Sequence, residues 1–359
     1  MLDLFTLKHA MRKSNKHDLT ELAAQYRPDR RIAPNETRIE LIEDLASRIP
    51  ERDREEIIYN KFGIPKTRYV GYIGIIEERN FSEDQIRENI DDYNITRDYN
   101  NEIPEFEAQT KYQLELKRYE DEELSIYYRR IVKKPEYDFE EMRSKVITYP
   151  THVRILIKRA SGIVTVFTGD KDLANEALSA LTIVFQKTIK PLDSNLSGIT
   201  DADRGSFSVH TVKFLDYIYH GLSQVGRVGV INHIELETNK GDEIPQTVTV
   251  KGGNDLIDDR SVCEYLFIYG RELVGIKLNL FITLNDEEHK VSVQIGIRNG
   301  KTKVGIIKEK FTMQQIKYFY ETIENNIFIN IKEYGLIDLE GTKEILEKIR
   351  NRAPREILG

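Results

Sequence analysis

The sequence contains no tryptophan and a single cysteine, Cys263, in 359 residues. One thiol excludes an internal disulfide and a zinc site built from cysteines. No stretch approaches 18 uninterrupted apolar residues, so neither a membrane-spanning helix nor a membrane partner is predicted. The opening MLDLFTLKHAMRKSNK carries Asp3 and no long apolar segment before its basic cluster, which does not read as a secretory signal. HExxH, GxSxG and GxGxxG are all missing. The nearest approach to a phosphate loop, Gly296-Ile-Arg-Asn-Gly300-Lys301-Thr302, has three residues between its glycines where the P-loop needs four, and it reads as a hairpin turn. Asp255, Asp258 and Asp259 follow Gly252-Gly253. Clustered carboxylates can hold Mg²⁺, but these read as the acidic start of a helix. The sequence therefore asks for no cofactor and no metal. It favours a non-enzymatic protein inside the cell, cytoplasmic or associated with nucleoid or chromatin.

What is present is enough apolar side chain, 40% of residues, to bury a core across two or three domains. The 53 Lys+Arg and 60 Asp+Glu give a net charge of −7, which taken whole argues against a generic DNA-coating protein. The charge is unevenly spread. Residues 77–123 hold 16 acidic and 6 basic side chains, a local −10, leaving 47 basic and 44 acidic residues and +3 elsewhere. This acidic insert lies within the stretch from Tyr59 to Tyr149, which carries 11 of the 19 tyrosines. It reads as a solvated connector or as a docking surface for a basic partner.

Periodicity supplies the elements. Residues 3–62 read as four short helices closing a small bundle. Asp18-x-x-Glu21, a variant capping box, opens a helix bearing Leu19, Leu22 and Ala23. ETRIELIEDLASRI puts Ile39, Leu41, Ile42, Leu45, Ala46 and Ile49 on one face. Pro50 breaks that helix, and ERDREEIIYNKF turns Ile57, Ile58 and Phe62 inward. RYVGYIGII reads as a strand, Ser82-x-x-Gln85 caps a helix to about Asp92, and 107–122 reads as helical. From 151 the period becomes two. Strands at 152–158 and 162–168 form a hairpin, followed by helices at 171–188 and 207–224. Strands at 228–238 and 245–251, a helix at 259–268, and a meander at 275–284, 289–298 and 302–308 come next, with Asn299-Gly300 as the last turn. Thr312-x-x-Gln315 caps a helix to about 325, and a final helix runs from Gly341 to about Asn351. The fold class is α+β: a helical bundle at 1–65, an acidic Tyr-rich connector at 66–150, and a mixed, mostly antiparallel α/β body at 151–359.

Basic clusters carry the functional signal. Lys8, Arg12, Lys13 and Lys16 crowd the first helical stretch, with Lys8, Arg12 and Lys16 on one face. Arg27, Arg30 and Arg31 crowd the following loop, and Arg38 starts the third helix. Around the first hairpin lie Arg129, Arg130, Lys133, Lys134, Arg154, Lys158 and Arg159. Such groups attract phosphate without reading sequence; equally, they can simply keep surfaces soluble. DLTELAAQYRPDRRIAPNETRIELIEDLASRI followed by EEIIYNKFGIPKTRYVGY resembles the N-terminal helical domain of the centromere protein N family, and TVTVKGGNDLIDDRSVCEYLFIYGRELVGIKLNL resembles its strand, glycine, helix, glycine, strand unit. Together these cover about a quarter of the chain. The resemblance implies a pyrin-like four-helix bundle joined to an α/β domain, a DNA-binding cleft between them, and pairing through the C-terminal α+β region with a related subunit or a second copy. Lys8, Lys13 and Arg38 match basic positions of that family's DNA-facing surface. Met1 and Phe5 stand where its histone-contacting acids belong.

The expectation is thus a non-enzymatic protein binding duplex DNA or chromatin, its basic cleft lined by Lys8, Arg12, Lys13, Lys16, Arg30, Arg31, Arg38, Arg154, Lys158 and Arg159. Two alternatives stay open. One is a protein–protein adaptor or oligomeric scaffold using the acidic insert and the strand meander. The other is a nuclease-like component of a defence or repair system built on Glu235, Glu237 and Lys240, which lack the usual single-residue gap between acid and lysine.

Overall fold

A computed structural model describes residues 4–14, 16–28, 36–57, 68–77, 81–96, 109–138, 143–191, 200, 204–238, 247–252, 255–298, 301–307, 311–332 and 335–353. The chain divides into two units that interleave in sequence. One comprises residues 1–66, 80–159 and 175–187, the other 67–79, 160–174 and 188–359. The 66–150 stretch accordingly supplies elements to both. Helices and large antiparallel strand arrays make the fold α+β.

The first unit opens with four helices, α1 (Leu4–Lys13), α2 (Lys16–Tyr26), α3 (Arg38–Arg48) and α4 (Glu51–Ile57). Leu7, Met11, Leu19, Leu22, Leu45 and Ile49 form their common core. Each such side chain, fully buried, contributes about 1.5–3 kcal/mol. A reciprocal capping box fixes the start of α3: Thr37 Oγ1 accepts from Glu40 N–H, and the Glu40 carboxylate accepts from Thr37 N–H at 2.8 Å. Ile39, expected on the apolar face, is instead 65% exposed. It precedes the stripe of Leu41, Ile42, Leu45 and Ala46 that is buried. Ile57 is buried as expected, while Ile58 and Phe62 lie outside the described residues.

The same unit contains α5 (Glu83–Thr96), strands β2 (Gln109–Tyr119), β3 (Glu123–Asp138) and β4 (Arg143–Lys158), and residues 175–187, which include α6 (Lys171–Phe185) from Asn175 onward. The expected helix at 107–122 is a strand. Gln, Lys, Glu and Leu are good helix formers, yet Leu114 and Leu116 recur at the strand period and both are buried. β2 and β3 pair antiparallel with an irregularity between Leu116 and Arg118, and β3 pairs with β4 from Glu123↔Lys158 to Asp138↔Arg143. β2 has β3 as its strand neighbour, and α5 lies along it. Asn94 of α5 stands in for a second strand: its Nδ2 donates to Leu114 O at 2.9 Å, and its Oδ1 accepts from Leu114 N–H at 2.8 Å.

The second unit orders its strands β5-β1-β11-β10-β9-β7-β8, with β6 (Ile189–Pro191) also pairing β1. Their ranges are β1 Arg68–Ile76, β5 Ile163–Phe167, β7 Arg227–Glu237, β8 Thr247–Lys251, β9 Glu272–Leu284, β10 Glu287–Arg298 and β11 Lys301–Ile307. Arg298 faces Lys301 across the last turn, and Asn299-Gly300 lies outside the described residues. Period-two alternation sends Ile276, Leu278, Val293, Ile295, Val304 and Ile306 to one face, where helices α7 (Val209–Asp216) and α9 (Met313–Lys332) bring Phe214, Phe319, Ile323 and Ile327. Gly71 lets Tyr320 lie directly on β1: a Cβ there would stand 2.2 Å from the phenol oxygen. The Thr312–Gln315 capping box is formed. The single helix expected at 207–224 is α7 continued by a π turn, Tyr217–Gly221, and a 3-10 turn, Leu222–Gln224. Gly221 permits the wide turn, since a Cβ would meet the Tyr217 ring at 2.5 Å. Asp259 caps α8 (Arg260–Phe267) through Ser261 and Val262 N–H, as the acidic-helix-start reading requires. Buried Asp216 accepts from Ile337 and Asp338 N–H and from the Thr342 hydroxyl, fixing α10 (Leu339–Arg352). Among the described residues no helix is long and apolar enough to cross a membrane.

Candidate nucleic-acid interface

The basic residues singled out by sequence fall in the first unit, and α1 lies against β4, so the two basic elements share one body. Lys8 and Arg12 project from α1. Lys8 forms an ion pair with Glu43 of α3, both ends partly exposed. The Arg12 side chain is exposed. Arg38, at the first turn of α3, turns back to donate to the carbonyls of Met11, Arg12 and Ser14, closing the C-terminal end of α1. Its guanidinium thereby fixes the angle between two helices. Lys13 and Lys16 lie in α1 and α2 with side chains outside the described set, and Arg30 and Arg31 lie outside it altogether.

Arg27, grouped by sequence with that basic loop, is fully buried. It donates to both Glu36 oxygens at 2.7 and 3.1 Å, with Asp44 3.2 Å away. The hydrogen-bonded Glu36 carboxylate, opposed by burial and reinforced by the Asp44 charge, raises its pKa further. It is a structural cation with no surface to offer.

On β4, Arg154 and Lys158 are four residues apart and so project from one face. Glu123 of β3 pairs in register with Lys158, and its carboxylate lies 3.9 Å from Arg154. Arg159, just beyond the strand, is more committed. It lies over the Tyr119 ring at 5.0 Å and donates to the Glu120 and Phe81 carbonyls at 3.4 Å, with Asp121 at 4.0 Å. Farther along the sheet, Arg129 pairs with Glu115, and Arg130 reaches Glu176 at 3.1 Å. Sequence reasoning located the cations but missed their acids, because Glu43, Glu123 and Glu176 are brought in by other elements and no local spacing announces them.

The carboxylates of the nuclease alternative are also occupied. Glu237 takes Arg298 Nε and Nη2 at 2.8 and 2.6 Å, and Glu235 lies 3.0 Å from His233 Nε2, while Lys240 is outside the described residues. Among the described residues no three His, Cys, Asp or Glu side chains converge as a metal site. No family model matches the chain, and no curated protein matches it. Among solved structures it aligns with the crystal structure of DynU16, a protein of the dynemicin biosynthetic locus, at 8% identity and a TM-score of 0.16, over 77% of this chain and 100% of that one. A likeness of that size carries no argument.

Proposed function

We propose that the protein binds duplex DNA, free or in chromatin, through its phosphate backbone, using the exposed side of α1 and the C-terminal end of β4. In this reading the helical head is pyrin-like and the chain is a distant relative of the centromere protein N family. The observation that carries it is the approach of α1 to β4, which gathers Lys8, Arg12, Arg154 and Lys158 on one unit. The Lys8–Glu43 pair is partly exposed, and exposed pairs are worth only about 0–1 kcal/mol, so phosphate can compete for the lysine. Arg38 and Arg159 act as positioning groups for the elements that carry the contacts.

The test is a titration of labelled duplex at two salt concentrations, with Mg²⁺ present so that cleavage would be seen. Changing Lys8, Arg12 and Lys158 to Ala should weaken binding equally on unrelated sequences, and each lost phosphate contact should reduce the salt slope by about 0.9. If the unaltered protein shows no duplex binding at low salt, the reading is wrong.

A further inference from the structure

The second unit carries a polar sheet face with an unexplained gap. Strand pairing puts Tyr72 opposite Lys303, Lys303 opposite Gly296, Gly296 opposite Gly275, and Gly275 opposite Glu235, so these five lie in one row across β1, β11, β10, β9 and β7. Paired residues share a face, and this is the face opposite the helix-packed core. The next row on one side runs Gln294, Lys277, His233, and Arg298 flanks Gly296 on the other.

Most glycines in this unit have an internal reason. Gly71 makes room for Tyr320, Gly226 for the Phe281 carbonyl, and Gly275 for the Glu235 carboxylate, which an added Cβ would approach to 3.0 Å. Gly296 has none. Among the described residues a Cβ there would meet only the Val274 carbonyl, at 3.4 Å, and its φ lies outside the left-handed region. A mid-strand glycine without a packing reason marks a place where something else approaches.

Strand register places several polar residues on its face. Tyr72 is only 8% exposed, yet its hydroxyl has no hydrogen-bond partner among the described residues. Burial raises its pKa, reinforced by the charges of Asp170, Asp172 and Glu235 and opposed by Arg298. Lys303 lies over the Tyr72 ring at 5.3 Å and donates to the Gly169 carbonyl. Arg298 spends Nε and Nη2 on Glu237 and Thr247, leaving Nη1. Lys277 has no carboxylate within ion-pair distance among the described residues, and the Gln294 amide adds further donors. Against these stands Glu235, with one oxygen taken by His233. The open floor is Gly296, because the Glu235 side chain covers Gly275 beside it.

We propose that this hollow over Gly296 binds a phosphate group. Lys303 and Lys277 supply the charge, while Tyr72 Oη, Arg298 Nη1 and Gln294 supply hydrogen bonds. The second Glu235 oxygen accepts from the O–H of a hydrogen phosphate. The inference does not rest on the duplex-binding reading, because none of its residues belongs to the α1–β4 surface.

Inorganic phosphate titrated into the full chain, followed by calorimetry and by melting temperature, should give saturable binding. Gly296→Val fills the hollow with a strand-favouring side chain and should weaken binding at least tenfold while leaving the unliganded melting temperature and circular dichroism unchanged. Lys277→Met, at a half-buried position, should weaken it several-fold and serves if the valine variant fails to fold. Absence of saturable binding up to tens of millimolar, or equal binding by wild type and Gly296→Val, overturns the proposal. Duplex DNA separates the two sources of phosphate. If Gly296→Val weakens duplex and inorganic phosphate together, the site takes a nucleic-acid phosphate; if it weakens inorganic phosphate alone, the site takes a small molecule. Duplex bound equally by both proteins, with no phosphate binding by either, removes this site and leaves the α1–β4 reading standing.

Discussion

Replacing His152 with phenylalanine should remove a large part of the acid sensitivity of the first unit. His152 is 3% exposed on β4, opposite Arg129, with its ring 4.6 Å from that of Tyr127. Burial, reinforced by the charges of Arg129 and Lys117 and opposed by Glu115, lowers its pKa from 6.5 to about 4. The unfolded chain therefore takes up a proton near pH 6.5 that the native protein refuses until about pH 4. The contribution to stability is complete above pH 6.5 and is lost as pH falls through that window. A separation of about 2.5 units at about 1.36 kcal/mol each gives a loss of about 2 kcal/mol by pH 5 and about 3 kcal/mol by pH 4. Phenylalanine keeps an aromatic ring beside Tyr127 and cannot titrate. Urea unfolding at a series of pH values measures the difference, followed by tyrosine fluorescence because the chain has no tryptophan. The wild type should lose about 3 kcal/mol more than the variant between pH 7.5 and 4. Parallel losses, or an NMR titration placing the His152 ring near 6.5, would refute the reasoning.

Other consequences are testable in the same way. Asn94→Ala deletes both hydrogen bonds to the Leu114 backbone and should cost about 1–3 kcal/mol in urea unfolding, with more aggregation as the β2 edge is opened. Gly71→Ala drives a Cβ into Tyr320 Oη and, at 2.7 Å, Thr165 Cγ2. It should destabilise by about 1–3 kcal/mol, and adding Tyr320→Phe should recover part of that. Burial pushes the Cys263 thiol up to about 11, so a thiol reagent at pH 8 should label it only after denaturation.

Where a single period dominates, sequence and structure agree closely. The meander of β9, β10 and β11 follows the alternation of Val291, Val293, Ile295 and Ile297, and the Thr312–Gln315 box is where its spacing places it. Reading failed where two signals competed. Residues 109–119 are rich in helix formers, but Leu114 and Leu116 had β3 to pair with, and pairing prevailed over propensity. The π turn at Tyr217–Gly221 was invisible because its apolar spacing is still helical. For the candidate interface the chain order revealed the cations and hid their acids. Arg27 reads in sequence as part of that basic loop, and no local spacing announces that Glu36 and Asp44 enclose it. The Gly296 hollow was equally hidden, since Tyr72, Glu235 and Gly296 come from segments far apart in the chain.

The place of β1 bears on how the protein is made. It pairs with β5 on one edge and with β11 on the other, and β11 lies about 230 residues downstream. At about 5–20 residues per second, a ribosome exposes β1 for roughly 12 to 46 seconds before Lys301–Ile307 has even been polymerised. During that interval the Arg68–Ile73 part of one side of β1 is an open template, since β6 covers only Gly74–Ile76. The nascent chain is thus most vulnerable to chaperone capture or mispairing at its early centre, and slowing synthesis between residues 170 and 300 should lower soluble yield more than slowing it at either end.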